Sequence, residues 1–272
     1  MKKIISICLC CFNDLPYLKL LFKSIEKNTT IPYEICLTEN HSIDGTDEWL
    51  LLAGKVKESV GPEKNKKCRI RWTHKNEGVS AVNVSAEIAK GEFLVWCNSD
   101  HYFLPNWDIN ILRYLKRQPD NLFSFNVIEP TGENYKYLHY DAGQTPDTFR
   151  EADLLEFYKK NVEGKTGPNI ISVNHPVACT RELWDKIGGV DNAYFPGWTS
   201  DIDWSKRAYD LGAKQVMVKN AAVYHFVSST LKRKEFDKDR QKIHQKGIEL
   251  FKSKFGMLPE DWKLTINDGA LA

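Results

Sequence analysis

Three short oxygen-bearing side chains, Asn98-Ser99-Asp100, close an apolar run, Phe93-Leu94-Val95-Trp96-Cys97, that has the composition of a buried strand. A core strand gains nothing from such an ending unless the polar groups face a cleft. There Asp100 offers an anionic oxygen to a hard cation, while Asn98 and Ser99 offer neutral hydrogen-bonding groups to a ribose or a phosphate. The alternative is a strand-end turn held by side-chain-to-backbone hydrogen bonds. A second cluster downstream favours the cleft: Asp201-Ile202-Asp203-Trp204, followed after an apolar strand by His225.

Together the two clusters allow one reaction. If the cleft holds a nucleoside diphosphate, the leaving diphosphate gains negative charge as its glycosidic bond breaks, and a divalent ion on its oxygens lowers the barrier. Asp100 can supply one ligand and His225 another, and an imidazole ligand shifts preference modestly from Mg²⁺ toward Mn²⁺. Asp201, opening a helix, is the candidate base for an attacking hydroxyl, although an acid at that position also serves as a helix cap. Asp203 lies about 200° further around the helix and suits a supporting role in the loop or cap. His225 has an alternative as an ordinary strand-end histidine bonded to backbone. Trp198 fits either loop packing or an apolar platform for an acceptor sugar ring. The remaining histidines, His41, His74, His101, His139, His175 and His244, carry no spacing that argues for a metal cluster.

Apolar runs alternate with helical periodicity through the first half of the chain. Strands are expected at Ile4 to Cys11, Ile35 to Leu37, Cys68 to Thr73 and Phe93 to Cys97. Between them come helical stripes on Leu18, Leu21, Phe22 and Ile25, on Trp49 to Leu52, and on Val79, Val82, Ala86 and Ala89. Near-continuous apolar strands in a βαβ rhythm predict a mostly parallel sheet covered on both faces. Ligands of such sheets sit at the carboxyl ends of the strands. Those ends are Cys11-Phe12-Asn13, Glu39-Asn40, Lys75-Asn76 and Asn98-Ser99-Asp100, all polar. No GxGxxG or GxxxxGK[ST] loop is present, so neither a dinucleotide site nor a P-loop is supported. Lys55 to Lys67 reads as a surface loop, and Gly132 to Phe149 as a long functional loop. Short helices are expected at Leu154 to Lys160 and Glu182 to Ile187, the second stopped by Gly188-Gly189, and a longer one at Asp201 to Leu211. Short strands are expected at Gln215 to Val218 and Ala222 to Tyr224, with charged helices beyond Phe226.

With 272 residues the chain can bury a full core, and a formal charge of +2 gives no bulk field toward nucleic acid. The local exception is Lys232 to Lys242, a basic helical stretch that serves either as a solvated face or as a peripheral contact with an anionic membrane. The 7 cysteines, most of them inside apolar strand-like runs, read as small buried hydrophobes in a reducing compartment. The apolar run after Met1-Lys2-Lys3 is too short for a signal peptide and meets Asn13-Asp14 at once. The expected location is cytoplasmic, with peripheral membrane contact at the inner face.

The order of these motifs resembles a GT-A-fold, family 2 glycosyltransferase over about residues 4 to 226. Cys11-Phe12-Asn13 is similar to that family's first-strand ending. Glu39-Asn40-His41-Ser42-Ile43-Asp44-Gly45-Thr46 resembles its Asp-(Asp/Asn)-Gly-Ser-Thr-Asp-Gly-Thr signature. Asn76-Glu77-Gly78, Asn83 and Gly91-Glu92-Phe93 lead to Asn98-Ser99-Asp100 in place of Asp-x-Asp. Ser200-Asp201-Ile202-Asp203 stands where the family has Glu-Asp or Asp-Asp, and Tyr224-His225 where it has a metal-binding histidine.

The resemblance implies an inverting, single-displacement transfer of a sugar from a nucleoside-diphosphate donor to a glycan, lipid-linked or protein hydroxyl, with surface-glycan or polysaccharide assembly as the setting. Cys11, Asn13, Glu39, Asn76, Asn98, Ser99 and Trp198 would line the substrate site, Asp100 and His225 would hold the metal, and Asp201 would be the base. It also implies one GT-A domain over residues 1–228, with a nucleotide-sugar half at 1–125 and an acceptor half at 126–228, followed by a helical extension at 229–272. The chain departs from the pattern at Asn98, at Glu39 and at Ser200. Two rival functions start from these residues: a sugar-nucleotide-binding partner without turnover, and a sugar-phosphate nucleotidyltransferase. The second lacks the basic glycine-rich loop it would need after the first strand.

Overall fold

The computed structural model describes residues 4–56, 67–131, 137–165, 175–227 and 239–268. Its first half follows the expected alternation: β1 (Ile5–Cys11), α1 (Leu15–Asn28), β2 (Tyr33–Glu39), α2 (Thr46–Val56), β3 (Lys67–Trp72), α3 (Val82–Ile88) and β4 (Phe93–Trp96). The second half runs β5 (His101–Phe103), α4 (Trp107–Arg117), β6 (Leu122–Glu129), β7 (Leu138–His139), α5 (Glu151–Asn161), β8 (Val177–Thr180), α6 (Arg181–Ile187), α7 (Ser200–Asp210), β9 (Gln215–His225), α8 (Arg240–Phe255) and α9 (Pro259–Asp268).

All nine strands join one sheet in the order β3-β2-β1-β4-β8-β6-β9-β5, with β7 beside β6. The pairs β1–β2, β1–β4, β2–β3 and β6–β9 are parallel, whereas β8 runs antiparallel to both β4 and β6, and β5 antiparallel to β9. The sheet is thus mostly parallel, as its apolar strands predict. The two short strands expected at 215–218 and 222–224 are one strand, β9, whose pairing with β6 shifts register between Phe125 and Asn126.

Both faces of the sheet are covered at its central strands, so alternate residues of one strand enter different cores. Ile5, Ile7, Leu9 and Cys11 of β1 pack with Phe93 and Val95 of β4 under Leu18, Leu21 and Ile25 of α1 and Ile111 and Leu115 of α4. Cys8, Leu94 and Trp96 face the other way, toward Val82 and Ala86 of α3, Trp184 of α6 and Trp204 of α7. Each fully buried large side chain contributes about 1.5–3 kcal/mol. That is why central strands read as continuous apolar runs. The carboxyl ends of β1, β2 and β4 are set in register by these same pairings, Cys11 opposite Glu39 and Cys8 opposite Trp96.

The C-terminal helices dock through a separate cluster of Tyr194, Phe251 and Trp262, packed with Ile202, Leu250 and Phe255. Most of the expected surface loop at Lys55 to Lys67, the start of the Gly132 to Phe149 segment and the basic stretch from Lys232 to Lys238 lie outside the described residues. Among the described residues no helix is long and apolar enough to cross a membrane.

Candidate active site

One cavity of about 570 Å³ opens at the carboxyl ends of β1 and β4, within the size range of small-molecule sites. Cys11, Asn76, Asn98, Ser99, Asp100, Trp198, Asp201 and His225 all line it. The two clusters, a hundred residues apart in sequence, therefore meet. Asn13 and Glu39 are not among its lining residues. Their polar groups hold the loops beneath it: Asn13 Oδ1 accepts from the Ile43 N–H at 2.7 Å, and the Glu39 carboxylate accepts from the N–H groups of His41 and Ser42 at 3.1 and 2.7 Å. A short, bend-tolerant asparagine suits that position, where φ is +53°.

The metal-capable corner is built by strand pairing. His101 of β5 stands opposite His225 of β9 in the antiparallel register, which brings the residue before His101 to the same corner. His225 Nε2 lies 3.5 Å from Asp100 Oδ2, and its Nδ1 lies 2.7 Å from Glu129 Oε1 at the end of β6. Burial pushes the His225 imidazole down, but the charges and hydrogen bonds of Asp100 and Glu129 outweigh it and raise it to about 9. Two buried carboxylates thus make this a place for positive charge.

Ligand atoms of Asp100, His101 and His225 all lie within 4.8 Å of one another, which admits one ion. Asp100 and His225 fit it best, an oxygen and an imidazole nitrogen whose ring partner is fixed by a carboxylate. His101 fits less well, because its Nδ1 accepts the Asn98 N–H at 3.1 Å, which places the proton of a neutral ring on Nε2. Burial and the neighbouring His225 keep His101 well below the ordinary histidine range, so it is neutral.

A polar frame supports the opposite wall. Asn40 donates to Asn76 Oδ1 at 2.9 Å and to the Gly78 carbonyl at 3.0 Å, and it accepts the Glu77 N–H at 2.9 Å. This fixes Gly78 at φ +67°, where a Cβ would come within 2.6 Å of the Pro196 carbonyl. That carbonyl accepts the Val79 N–H at 2.9 Å, which anchors the loop carrying Trp198. Trp198 meets His244 of α8 edge-on, with ring centroids 4.9 Å apart. Ser99 donates to Asp14 Oδ2 at 2.7 Å, so Ser99 is partly committed to a buried carboxylate.

The two acids at the head of α7 separate cleanly. Asp201 lines the cavity, and burial raises its carboxyl above the usual range, against the Lys263 ammonium and the N–H groups of Ile202 and Asp201. Asp203 is fully buried and turned away, accepting from Tyr194 Oη at 3.0 Å and Arg207 Nε at 2.7 Å, with Lys254 of α8 as a third partner. Burial, with Asp14 nearby, pushes the cavity thiol of Cys10 up to about 12, so it stays protonated and is no nucleophile at neutral pH.

Sequence reasoning missed Glu129, Asp14, His175 and Lys263. Glu129 carried no such signal as Asp100 did, since Ser124 and Asn126 interrupt the stretch from Leu122 to Ile128 that it ends.

The sheet, its covering helices and the cavity at its strand ends define an α/β fold of the GT-A type. The chain belongs to glycosyl transferase family 2, whose model matches residues 6–179. It is 22% identical over 273 residues, 96% of this chain and 70% of the relative, to Bacillus subtilis (strain 168) EpsH, provisionally named a glycosyltransferase. Among solved structures it is similar to the mannosyltransferase PcManGT from Pyrobaculum calidifontis in complex with GDP-Man and Mn²⁺, at TM-score 0.65 and 14% identity, covering 99% of this chain and 70% of that one. GalNAc-T7 with UDP, GalNAc and Mn²⁺ matches at TM-score 0.61 and 18% identity over 82% of this chain. S. aureus TarS matches at TM-score 0.58 and 13% identity over 83% of this chain. The chain spans 44% of that GalNAc-T7 chain and 37% of that TarS chain.

Proposed function

We propose that this glycosyltransferase moves a hexose from a nucleoside-diphosphate sugar to a hydroxyl acceptor with inversion at the anomeric carbon, in surface-glycan or polysaccharide assembly. One observation carries the reading: Asp100 with His225, and Asp201, line the same cavity. The complexes of its fold relatives with GDP-Man, UDP and UDP-GlcNAc support a nucleotide-sugar donor.

In this reading the nucleoside lies across the ends of β1 and β4, with Asn98, Ser99 and Asn76 as hydrogen-bonding partners. Asp100 and His225 would hold a divalent ion, Mn²⁺ in preference to Mg²⁺, which when bound neutralises charge on the departing diphosphate. Trp198 gives the acceptor ring an apolar face. Asp201 takes the acceptor's hydroxyl proton as that oxygen attacks the anomeric carbon from the face opposite the diphosphate. The carbon–oxygen bond to the β-phosphate breaks, and the nucleoside diphosphate leaves with its electron pair. One displacement inverts the centre.

The test is nucleotide release from a panel of nucleotide sugars with Mn²⁺ and hydroxyl acceptors, with product configuration read by NMR. The wild type should release nucleotide and invert, while Asp100→Ala and Asp201→Asn should turn over at least about 100-fold more slowly. Tight nucleotide-sugar binding with no turnover on any acceptor would replace this reading with a binding module. Nucleotide-sugar synthesis from a sugar phosphate and a nucleoside triphosphate would replace it with a nucleotidyltransferase.

A further inference from the structure

The wall of the cavity nearest Asp201 comes from the last two helices. His244 and Ile248 of α8 and Glu260 and Lys263 of α9 line it, although the family match ends at residue 179. Their docking is tightly specified. Trp262 is 2% exposed and belongs to the cluster that also takes in Ile202. Ile202 follows Asp201 in sequence and Trp262 precedes Lys263, so one apolar cluster anchors the stretches that bring both Asp201 and Lys263 to the cavity lining. A second tie holds α8 in place, since Lys254 bonds both Asp191 and Asp203.

Among the described residues lining the cavity, Lys263 is the one lysine or arginine, beside the acids Asp14, Asp100, Asp201 and Glu260. We propose that Lys263 is the positioning residue that keeps Asp201 in its ionised, proton-accepting form, so that the C-terminal helices are part of the catalytic centre. This rests on Asp201 acting as the base. A half-buried carboxylate is driven toward its neutral form, and a protonated acid cannot take the acceptor's proton; an ammonium lining the same cavity opposes that drive. The burial and Lys263 effects on Asp201 already described have these signs. Among the described residues the other charged or titratable groups around Asp201 are Glu260 of α9, His244 of α8, Tyr137, whose hydroxyl feels both Asp201 and Glu129, and Cys10, Cys11, Asp14, Asp100, His175 and His225, which line the same cavity. None of them supplies a second lysine or arginine in place of Lys263.

The deciding measurement is a carbon-13 NMR titration of the Asp201 carboxyl in the full chain without metal or substrate, the resonance assigned by its loss in Asp201→Asn. Lys263→Met should raise the midpoint by about half to one pH unit, a three- to tenfold weaker acid, while Lys263→Arg leaves it in place. An unmoved midpoint in Lys263→Met overturns the proposal. This readout needs no turnover, so it decides even if the transferase reading fails. In turnover assays the acid limb of kcat/KM should move up in Lys263→Met, with activity recovering at alkaline pH and with Lys263→Arg close to wild type. A loss equal at every pH would instead make Lys263 a substrate contact or a folding residue, and the proposal would fall.

Discussion

Glu129 and His225 stand 96 residues apart in the chain and 2.7 Å apart in the structure, Oε1 to Nδ1. The contact fixes which ring nitrogen faces the cavity: with Nδ1 engaged, Nε2 points at the Asp100 carboxylate, 3.5 Å away. Carboxylate, imidazole and the proposed cation site then lie in a row, an arrangement that would orient a ligating histidine and raise its basicity. Parallel pairing of β6 with β9 places the two strand ends side by side.

Glu129→Gln should therefore weaken Mn²⁺ binding by about 10- to 100-fold without unfolding the chain, because glutamine keeps the shape and loses the charge. Calorimetric titration with MnCl₂ alone checks this. An affinity equal to wild type would show that Glu129 does not act on the cation site.

The pair at the head of α7 gives opposite outcomes. Asp201→Asn should lower kcat by about 10²- to 10⁴-fold and leave donor binding and thermal stability near wild type. Asp203→Asn removes the shared partner of Tyr194, Arg207 and Lys254 and should cost about 2–4 kcal/mol of stability, a fall in Tm of about 5–15 °C. Calorimetric melting beside single-turnover rates separates the two. Equal losses of rate at unchanged Tm would refute the division of roles.

What the sequence disclosed follows from burial geometry. Inner parallel strands are buried on both faces, so β1, β2 and β4 show as apolar runs whose polar ends mark the cleft. Asn98, Ser99 and Asp100 were legible for that reason, His225 as the polar end of a later apolar stretch, and Asp201 as an acid opening a helix. Glu129 and His101 were not, because their place at the site depends on β5 and β6 pairing with β9, and register between distant strands leaves no periodic trace. Asn13 and Glu39 looked like cleft residues because they end strands, but both side chains turn back to satisfy loop N–H groups. Lys263 was hidden by its charged surroundings, where only the burial of Trp262 shows which face of α9 turns inward.

Gly78 links the Asn40–Asn76 wall of the cavity to the Trp198 loop. Alanine there combines a positive φ with a Cβ 2.6 Å from the Pro196 carbonyl, so the loop must move. Gly164 has a similar φ of +71° and nothing within 4 Å of its Cβ position. Both Gly→Ala changes should cost about 1 kcal/mol for the left-handed backbone, but Gly78→Ala should cost more, about 2–3 kcal/mol, and raise the KM for acceptor. Identical melting and kinetics for the two variants would mean that the close approach to Pro196 is not tightly held.

Acid sensitivity of the fold should trace in part to Glu34. Its side chain is fully buried in β2, yet it accepts from Ser6 Oγ at 2.7 Å, from Arg69 Nε at 2.8 Å and from the Lys90 N–H. Burial alone would raise this carboxyl, but the bonds from Arg69, Lys90 and Ser6 outweigh it and hold the group below the ordinary glutamate value. A depressed folded-state value means that the folded chain binds fewer protons than the unfolded one. The stabilisation is complete above the unfolded value of about 4.3 and fades as pH falls through the folded one. Glu34→Gln should thus lower stability at neutral pH by about 1–3 kcal/mol and flatten the loss between about pH 5 and pH 3. Urea midpoints across that range are the measurement, and wild-type and variant curves that stay parallel would show that Glu34 carries none of the acid dependence.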